Sequence, residues 1–331
     1  MRILQINNMN RTAATYAEDL IKRGHTALVY EPDVRGGLAP LPLKLAMMPA
    51  RLFALRHVLK KLDSAHFDVA HIHWASYGML GLLGHIPFVV HCRGSDVRYR
   101  LHQPFFRALL RPIFRNAAAV LCSTPDLLSV VQSQRPDALF FPSPIDTTQF
   151  APEVERTIRP WTILLFARLD HIKGCAIAVE GIARFAQRHP EVQVKLLEWG
   201  TEAALYKQRY GELFEFVPRI APGVVQQLVQ SSDVVVGQVF LGAFGLSELQ
   251  AMSCAKPVIT SFIYKDTYAT QPHFYQATTI EEVEQQLEDI FQQPASARET
   301  GIRARAWVIA EHGRQALTTR LESLYQTMLT T

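Results

Sequence analysis

The sequence predicts an α/β protein of two domains, each with a parallel sheet flanked by helices. Short apolar runs typical of buried strands alternate with stretches that place apolar residues at helical spacing, and this alternation is typical of parallel sheets. Prolines cluster at 142–160, where they disfavour helix and indicate a linker. The alternation then restarts, and a length of 331 residues suffices for two cores.

The N-terminal half begins with a strand, a helix and a second strand. RILQIN is a predicted buried strand, and the helix that follows places Ala14, Ala17 and Leu20 on one face before it stops at Gly24. ALVYE is the second strand. We expect an N-terminal domain over residues 1–150, with four further strands in the runs FDVAHIHW, PFVVHC, AAVLCS and ALFFP.

The C-terminal half repeats the alternation. Predicted helices lie in GCAIAVEGIARFAQRH, VVQQLVQSS and LSELQAMSCA, and predicted strands lie in WTILLFARL, VQVKLLEW, DVVVGQVF and KPVITSF. Two polar-rich segments, 281–293 and 298–329, should form amphipathic surface helices, with Leu317, Leu321, Leu324 and Met328 on one stripe. We expect a second domain over residues 151–331, whose last helix is a candidate to cross back to the first domain.

Composition and charge narrow the function classes. The four cysteines are far apart and contain no C-x-x-C pair, which predicts neither a zinc site nor disulfides. There is neither a signal-peptide pattern nor an apolar run of about 18 residues, so we expect a cytoplasmic protein, with peripheral contact to the inner membrane face as an option. Residues 1–150 carry 17 Lys/Arg against 10 Asp/Glu, a net +7, and residues 151–331 carry 17 against 20, a net −3. The basic half should face an anionic partner.

Two cations follow the first strand of the second half. Arg168 and Lys173 stand five residues apart, between a strand and a helix. Ligands of open α/β sheets bind beyond the carboxyl ends of strands, and two cations beside helix N–H donors suit a diphosphate. On charge alone, two solvated loop charges are the simpler interpretation.

The surrounding sequence resembles a known family. ILLFARLDHIKG is similar to the G-R-L-x-x-x-K-G stretch of family-4 retaining glycosyltransferases (glycosyl transferases group 1), with Ala167 at the family's glycine. FLGAFGLSELQAMSCAKPVITS resembles the family's E-G-F-G-L-x-x-L-E-A-M-A-x-G-x-P-V-I signature, and the similarity runs from about residue 60 to 265. The resemblance implies the GT-B fold, in which two Rossmann-like domains with parallel sheets face a central cleft. It also implies that the N-terminal domain binds the acceptor and the C-terminal domain the donor.

The resemblance assigns roles on the donor side. It implies that Arg168 and Lys173 bind the diphosphate of a nucleotide-sugar donor and stabilise the leaving group electrostatically. Phe244, Gly245 and Leu246 form a glycine turn that feeds a helix, where backbone amides can approach an anion.

Both carboxylates of the family signature are missing, because Gly242 and Gln250 occupy their positions. Gln250 can still hydrogen-bond a ribose diol, whereas Gly242 offers only backbone and is expected to need an angle that Glu resists. Glu248 is a further donor-side candidate, but it should point about 200° away from Gln250 on a helix and cannot simply substitute. Catalysis by backbone and phosphates, a differently handled donor, and lost activity all stay open.

The acceptor side is indicated by DVAHIHWASYGMLGLLGHIPFVVHCRGSDVR, which resembles the family pattern D-x-h-H-x-H followed by H-G-S-D. Aligning GSD places Arg93 where the family often has histidine, and strand alternation puts His91 and Arg93 on one face. The resemblance makes His91 and Arg93 catalytic candidates, and Arg93, His73 and Asp96 acceptor-binding candidates. For His71 a structural role is the preferred interpretation.

The first loop, Asn7-Asn8-Met9-Asn10, stands where the family has a glycine pair. Asparagine tolerates unusual backbone angles and can donate to phosphate or sugar, so Asn8 and Asn10 are acceptor-binding candidates. We expect no metal, because no third ligand can be identified for the H-x-H pair and no D-x-D occurs.

Two basic amphipathic stretches, 41–61 and 97–115, suit an anionic bilayer surface. Ordinary core-facing helices with solvated basic faces explain them equally well. Nucleic acid is not an expected partner, because no binding motif accompanies these stretches and the net charge is only +4.

The sequence therefore predicts a metal-independent retaining glycosyltransferase of the hexosyltransferase type. Its co-substrate is a nucleotide-diphosphate sugar, it needs no cofactor, and its acceptor is a glycan, a lipid-linked molecule or a small molecule. The alternative is a non-catalytic sugar-nucleotide or glycan-binding relative that has lost the carboxylates. A phosphorylase or an epimerase would need a cofactor lysine or other acid/base groups that the sequence does not indicate.

Overall fold

The computed structural model describes residues 1–32, 66–153, 159–218 and 222–330. The chain divides into two compact units, one made of Met1–Pro144 with Leu317–Thr331 and the other of Ile145–Ala316. Each unit contains a six-stranded parallel sheet with helices around it. The predicted α/β class with two parallel-sheet domains is confirmed.

The sheet of the first unit is built from short apolar strands. They are β1 (Arg2–Ile6), β2 (Thr26–Tyr30), β3 (Val69–His73), β4 (Phe88–Cys92), β5 (Ala119–Cys122) and β6 (Leu139–Phe140). Their order is β2-β1-β3-β4-β5-β6, and all neighbours are parallel. The strand order reverses between β1 and β3, which is where ligands bind in sheets of this kind.

Helices of the first unit follow these strands. They are α1 (Thr12–Lys22), α2 (Gly78–Leu83), α3 (Pro104–Asn116) and α4 (Asp126–Gln132). Proline at the first position of α3 has no N–H to leave unpaired there and suits a helix start. Short 3-10 turns lie at Met9–Arg11, Ala75–Tyr77 and Arg100–His102.

The second unit has its own sheet. Its strands are β7 (Thr162–Leu165), β8 (Gln193–Leu197), β9 (Glu215–Val217), β10 (Val234–Val236), β11 (Val258–Thr260) and β12 (Tyr275–Gln276). The order β9-β8-β7-β10-β11-β12 is the 3-2-1-4-5-6 order of Rossmann sheets, and all neighbours are parallel. Its reversal lies between β7 and β10.

The helices of the second unit are α5 (Cys175–Arg188), α6 (Ala203–Tyr210), α7 (Pro222–Gln230), α8 (Leu246–Ser253), α9 (Ile280–Gln292) and α10 (Pro294–His312), with 3-10 turns at His171–Lys173 and Lys265–Thr267. The final helix, α11 (Arg314–Thr330), belongs mainly to the first unit. Thr279 caps α9 by accepting the N–H of Glu282 at 3.1 Å. The segment predicted as one helix over 298–329 breaks at Gly313, which has an extended conformation.

The first unit has a core on each face of its sheet, because strand alternation sends successive side chains to opposite sides. One core packs β-strand residues such as Leu4 and Ile72 against α2 and α3. The other packs Ile3, Tyr16 of α1 and the α11 residues Leu317, Leu321 and Tyr325. In the described ranges, no helix combines the length and the apolar character needed to span a bilayer.

Candidate functional site

The loop between β7 and α5 carries both predicted phosphate-binding cations. Lys173 ends a 3-10 turn, and Gly174 follows with a φ of 71°, the left-handed region. A Cβ on Gly174 would lie 2.8 Å from Cγ2 of Val239 and 3.0 Å from Cβ of Phe240, so only glycine fits. The N–H of Val239 donates to the Lys173 carbonyl at 3.1 Å. The loops after β7 and β10 are therefore in direct contact at the strand-order reversal.

Gln238, in the loop after β10, hydrogen-bonds both to the loop after β7 and to the last residue of β11. Its side-chain oxygen accepts from Lys173 Nζ at 2.7 Å, and its backbone carbonyl accepts from Thr260 Oγ1 at 2.6 Å. Gln238 is 3% exposed, whereas Lys173 is partly exposed, so the ammonium group is held from its buried side. Lys173 is thus held in place by a buried polar side chain that sequence reasoning did not single out.

Arg168 lies on the same loop and is partly exposed. Its guanidinium pairs with Asp170 and lies 6.0 Å from the ring centroid of Trp199. Burial alone raises the pKa of Asp170, but hydrogen bonds from Thr201 and the charge of Arg168 outweigh it and lower the pKa. Arg168 therefore faces the charged carboxylate of Asp170 at neutral pH. A bound diphosphate would compete with that carboxylate for the guanidinium.

The glycine turn predicted to meet the donor leads into α8. The N–H of Gly245 donates to Glu248 at 2.8 Å, whereas within the described part of the chain no acceptor takes the N–H of Leu246 or Ser247. Unpaired N–H groups at a helix start form a favourable place for an anion. Phe244 is 4% exposed and its ring stacks on Phe262 at 4.2 Å, so only its backbone is available to a ligand.

The positions of the missing family carboxylates have different surroundings. Gly242 has a φ of 67°, and a Cβ there would lie 2.9 Å from Cγ1 of Ile263. The expectation that Gly242 needs an angle that Glu resists is confirmed. Gln250 is half-buried on α8, and no residue that the structure describes hydrogen-bonds its amide.

Glu248 is a buried support of the same loops. It is 2% exposed, and its two oxygens accept the N–H groups of Gln238 and Gly245, both at 2.8 Å. Both oxygens are engaged, so the geometry favours a role in shaping the loop over direct contact with a ligand. Its direct donor contact stays a prediction.

In the first unit, the loop after β1 has unusual backbone angles. Asn7 and Asn10 have φ values of 71° and 50°, so asparagine does take the left-handed conformation here, as predicted. Asn7 Nδ2 donates to the His73 carbonyl at 2.5 Å, and Asn8 Oδ1 accepts the N–H of Ala14 at 2.9 Å. Asn10 is exposed. Asn8 thus shapes the loop, and Asn10 is the loop asparagine available to a ligand.

Asp96 fixes the loops that follow β3 and β4. Its carboxylate accepts the N–H groups of Ala75 at 2.9 Å, Arg93 at 3.0 Å and Gly94 at 2.7 Å. Asp96 is 1% exposed, and burial raises its pKa against the opposing effect of these N–H groups. The acceptor contact predicted for Asp96 would therefore compete with three backbone hydrogen bonds.

The histidines of the predicted acceptor side form one buried cluster. His73 pairs with His91 in the sheet register, and His71, His73 and His91 are all 0% exposed. The third partner of the H-x-H pair, which sequence reasoning did not identify, is His91. The alternation of side chains along two neighbouring strands could have indicated His91, because it places residues 71, 73 and 91 on the same sheet face.

This cluster does not fit a three-histidine metal site. His71 stacks on His73 at 4.2 Å and 16° and on His91 at 5.3 Å and 16°. A metal bound by an imidazole nitrogen lies in the plane of that ring, and stacked rings have no common in-plane point close to their nitrogens. All six ring nitrogens also have hydrogen-bond partners already.

The histidines of this cluster and Arg93 differ in charge. Burial, together with the charge of Arg93, holds the pKa values of His71, His73 and His91 well below the usual range, so these rings are neutral. Burial also lowers the pKa of Arg93 to about 10, which leaves the guanidinium charged at neutral pH. Arg93 donates to Ser143 Oγ at 2.9 Å and to His73 Nδ1. Arg93 is therefore a charged group next to three neutral histidines.

A basic face lies on α3, in the second amphipathic stretch. Arg107, Arg111 and Arg115 are exposed at four-residue spacing, and none of them has an acidic partner within the described ranges. Phe105 on the same helix is 73% exposed. The first predicted stretch, 41–61, lies outside the described residues.

Comparisons with known proteins cover most of the chain. Residues 9–139 match the family model "Glycosyl transferase 4-like domain", and residues 160–288 match "Glycosyl transferases group 1". The phosphatidyl-myo-inositol mannosyltransferase of Mycobacterium tuberculosis is 26% identical over 275 residues, which are 78% of this chain and 72% of that protein. The D-inositol 3-phosphate glycosyltransferase of Pseudarthrobacter chlorophenolicus is 30% identical over 137 residues, 36% of this chain and 33% of that protein.

Solved structures resemble the chain over nearly its whole length. HepE of Anabaena, in complex with UDP-glucose, superposes with a TM-score of 0.73 at 14% identity, over 99% of this chain and 100% of that one. The sucrose-phosphate synthase of Thermosynechococcus elongatus gives a TM-score of 0.75 at 16% identity, with 100% of both chains covered. At such identities the likeness shows the fold alone.

Proposed function

Because this chain belongs to the family-4-like, group 1 glycosyltransferases of the GT-B fold, we propose that it transfers a hexose from a nucleotide-diphosphate donor with retention of configuration. The observation that carries the donor assignment is the hydrogen bond between Lys173 and Gln238 at the strand-order reversal of the second sheet. It holds an ammonium group in the region where open α/β sheets bind phosphates.

The donor diphosphate lies between the β7 loop and the start of α8 in this proposal. Arg168 and Lys173 supply charge, and the unpaired N–H groups of Leu246 and Ser247 supply short hydrogen bonds to phosphate oxygens. Negative charge grows on the leaving diphosphate as the glycosidic bond breaks. Lys173, held by Gln238, and the N–H groups at the start of α8 are already in place to stabilise that charge, and Arg168 adds to them once the diphosphate displaces Asp170 from it.

Gln250 takes the ribose in the proposed complex. Its amide offers one acceptor and two donors, which suits a pair of hydroxyl groups. No residue in the described part of the chain hydrogen-bonds to this amide. Gly242 contributes its backbone only. The chain retains the groups that electrostatic catalysis needs, which are the two cations and the N–H groups at the start of α8. These groups support a reaction without the two family carboxylates.

The first unit binds the acceptor. Asn10, in the loop after β1, is exposed, and Arg93, which follows β4, is partly exposed, so both can contact a hydroxyl or an anionic group of the acceptor. His73 accepts a hydrogen bond from the Arg93 guanidinium. A glycan, a lipid-linked molecule or a small molecule all remain within the proposal. The name of the mycobacterial relative, which specifies a phosphatidylinositol, supports a lipid acceptor for this chain.

Contact with an anionic membrane surface is part of the same proposal. Arg107, Arg111 and Arg115 present three charges without acidic partners in the described ranges, and exposed Phe105 adds an apolar group. Such a face binds anionic headgroups by charge and shallow insertion. We place the enzyme in the cytoplasm, peripheral to the inner membrane face, with no nucleic-acid partner.

A sugar-transfer assay tests the proposed activity. The protein is incubated with UDP-glucose, GDP-mannose or ADP-glucose and an inositol lipid, a glycan or water as acceptor, and the anomeric proton coupling of the product is read by NMR. We expect transfer, or slow donor hydrolysis, with the donor's configuration kept. EDTA should not stop it, since diphosphate charge is neutralised by Arg168 and Lys173. An inverted product, or activity that returns only with manganese, would contradict the proposal.

The second candidate is a non-catalytic sugar-nucleotide or glycan-binding protein. The left-handed backbone at Gly242 favours it, because the family glutamate cannot be accommodated there without local rearrangement. Nucleotide-sugar binding without turnover of any donor would support this candidate.

A further inference from the structure

A chain of buried hydrogen bonds links Arg93 to the last helix. The Arg93 guanidinium donates to His73 Nδ1, His73 Nε2 lies 2.7 Å from Gln5 Oε1, and Gln5 Nε2 lies 3.3 Å from the hydroxyl of Tyr325. These groups come from β1, β3, the end of β4 and α11. Gln5, His73 and Tyr325 are 0% exposed, so water cannot replace these partners.

A second branch starts at the same hydroxyl. Tyr325 lies 2.6 Å from His71 Nδ1, His71 Nε2 lies 3.1 Å from His91 Nδ1, and His91 Nε2 lies 2.8 Å from the Phe141 carbonyl. Tyr325 is therefore the junction of two branches, one ending at a cation and the other at a backbone carbonyl.

The two ends determine every proton in the chain. Arginine only donates, so His73 Nδ1 must accept, His73 Nε2 must carry the proton, and Gln5 must turn its oxygen to His73 and its NH2 to Tyr325. At the other end, the Phe141 carbonyl only accepts, so His91 Nε2 carries the proton and Nδ1 accepts from His71.

The two branches assign compatible roles to the Tyr325 hydroxyl. His71 Nδ1 is left as an acceptor, so the Tyr325 hydroxyl donates to His71 and accepts from Gln5. A single arrangement satisfies all the groups, with three neutral histidines in the Nε2–H form. Adding a proton to His73 would set two donors against each other beside the Arg93 charge.

We propose that this hydrogen-bond chain positions the Arg93 guanidinium, and that Tyr325 is a positioning residue for the acceptor side. Ser143 and His73 hold two different nitrogens of Arg93, so the plane of the guanidinium is fixed only while His73 presents a lone pair. Tyr325 keeps that lone pair in place through Gln5. The catalytic consequence rests on the proposed glycosyl transfer, whereas the proton arrangement does not.

Nitrogen NMR tests the proton arrangement without any substrate. In protein labelled with ¹⁵N-histidine, the Nδ1 and Nε2 shifts distinguish both neutral tautomers and the charged ring. We expect His71, His73 and His91 to be neutral Nε2–H rings at neutral pH. A charged ring or an Nδ1–H tautomer at any of the three would overturn the proposal.

Tyr325→Phe removes only the junction hydroxyl, and Tyr16→Phe is the matched control. Tyr16 is equally buried on the same sheet face, but its hydroxyl lies 3.5 Å from the Pro142 carbonyl, outside the chain. We expect Tyr325→Phe to speed up rotation of the Arg93 guanidinium, seen as merging of its Nη signals, while Tyr16→Phe leaves them separate. Unchanged Arg93 signals in Tyr325→Phe would refute the positioning role.

Steady-state kinetics with the acceptor found in the transfer assay test the catalytic consequence. For Tyr325→Phe we expect kcat/KM for the acceptor to fall roughly 3- to 10-fold, the effect of one lost hydrogen bond, with UDP affinity unchanged. Equal loss in Tyr325→Phe and Tyr16→Phe would contradict a specific role for this hydroxyl. Should wild-type protein transfer no sugar, the proposed function fails, and the NMR result still decides the hydrogen-bond chain.

Discussion

Lys173 Nζ donates to Gln238 Oε1 across 2.7 Å, and this hydrogen bond ties the loop after β7 to the loop after β10. Gln238 is in turn held by Glu248, whose second oxygen binds the N–H of Gly245 at the start of α8. The ammonium group and the helix start thus share one buried support. A preorganised pair of this kind binds an anion at a low cost in side-chain ordering.

Replacing either cation should weaken diphosphate binding. We expect Arg168→Ala and Lys173→Ala each to lower UDP affinity by roughly 1.5–3 kcal/mol, the range for hydrogen bonds to charged groups. Isothermal titration calorimetry measures this directly. Arg298→Ala, which removes an exposed cation on α10, is the control and should bind like wild type. Unchanged affinity in both loop variants would rule out the phosphate site.

Gln250 is the proposed ribose contact, so its truncation should cost nucleotide affinity and spare folding. We expect Gln250→Ala to lose roughly 0.5–1.5 kcal/mol of binding free energy, because one neutral hydrogen bond is removed. Gln250→Glu recreates the family pattern and should keep or improve binding. Affinities for wild type and both variants in one buffer decide the point, and three equal values would show that Gln250 does not touch the nucleotide.

Gly242 should resist the family glutamate for backbone reasons. Because its φ is 67°, a side chain there costs roughly 1–2 kcal/mol of stability, and Gly242→Glu should lower the free energy of unfolding by that amount. Asparagine tolerates this conformation better, so Gly242→Asn is the matched comparison. Equal unfolding midpoints in urea for wild type and Gly242→Glu would contradict the backbone assignment.

The buried histidines make stability depend on pH. The pKa values of His71, His73 and His91 are lowered in the folded protein, whereas the unfolded chain takes up these protons near pH 6.5. The unfolded state therefore binds more protons below that pH, and the free energy of unfolding should fall by about 1.4 kcal/mol per pH unit for each histidine. The loss should continue down to the lowered folded-state pKa values.

Urea midpoints at about pH 7.5 and 5.5 measure this dependence. His91→Gln should show a smaller change between the two pH values than wild type, while His102→Gln, which removes an exposed histidine, should match wild type. A slope that stays the same in His91→Gln would mean that the pKa of this ring is not lowered in the folded protein.

The basic face of α3 should bind anionic vesicles. We expect cosedimentation with vesicles of anionic lipid to weaken with salt, because exposed charges are screened within about 8 Å at physiological ionic strength. Arg107→Ala, Arg111→Ala and Arg115→Ala combined should reduce binding more than Arg298→Ala combined with Arg303→Ala on α10. Equal binding to neutral and anionic vesicles would reject the electrostatic part.

Much of the fold could be predicted from sequence, because apolar runs and helix periodicity depend on local spacing. Strands β1, β3 and β10 and helix α8 lie within the predicted runs. Strand β9 was missed, because Glu215–Val217 is too short to show a period. The break at Gly313 was also missed, because polar residues continue the helical pattern on both sides.

The candidate site was predicted less completely. Arg168 and Lys173 could be chosen because they follow a strand, but Gln238, which holds Lys173, is recognisable only once the loops fold together. Likewise, Tyr325 is 254 residues from His71 and hydrogen-bonds to it. Contacts of such sequence separation leave no local pattern, so the buried supports of a site are the part that one sequence does not reveal.

In the proposed function, the second unit binds a nucleotide-diphosphate sugar through Arg168 and Lys173. A thermal-shift screen of UDP-, GDP-, ADP- and dTDP-sugars tests it most directly, since a ligand that binds only the folded state raises the melting temperature by mass action. We expect at least one of them to stabilise wild type, and the shift to disappear in the Arg168→Ala/Lys173→Ala double variant. Absence of a shift with every donor, or an equal shift in wild type and the double variant, would contradict it.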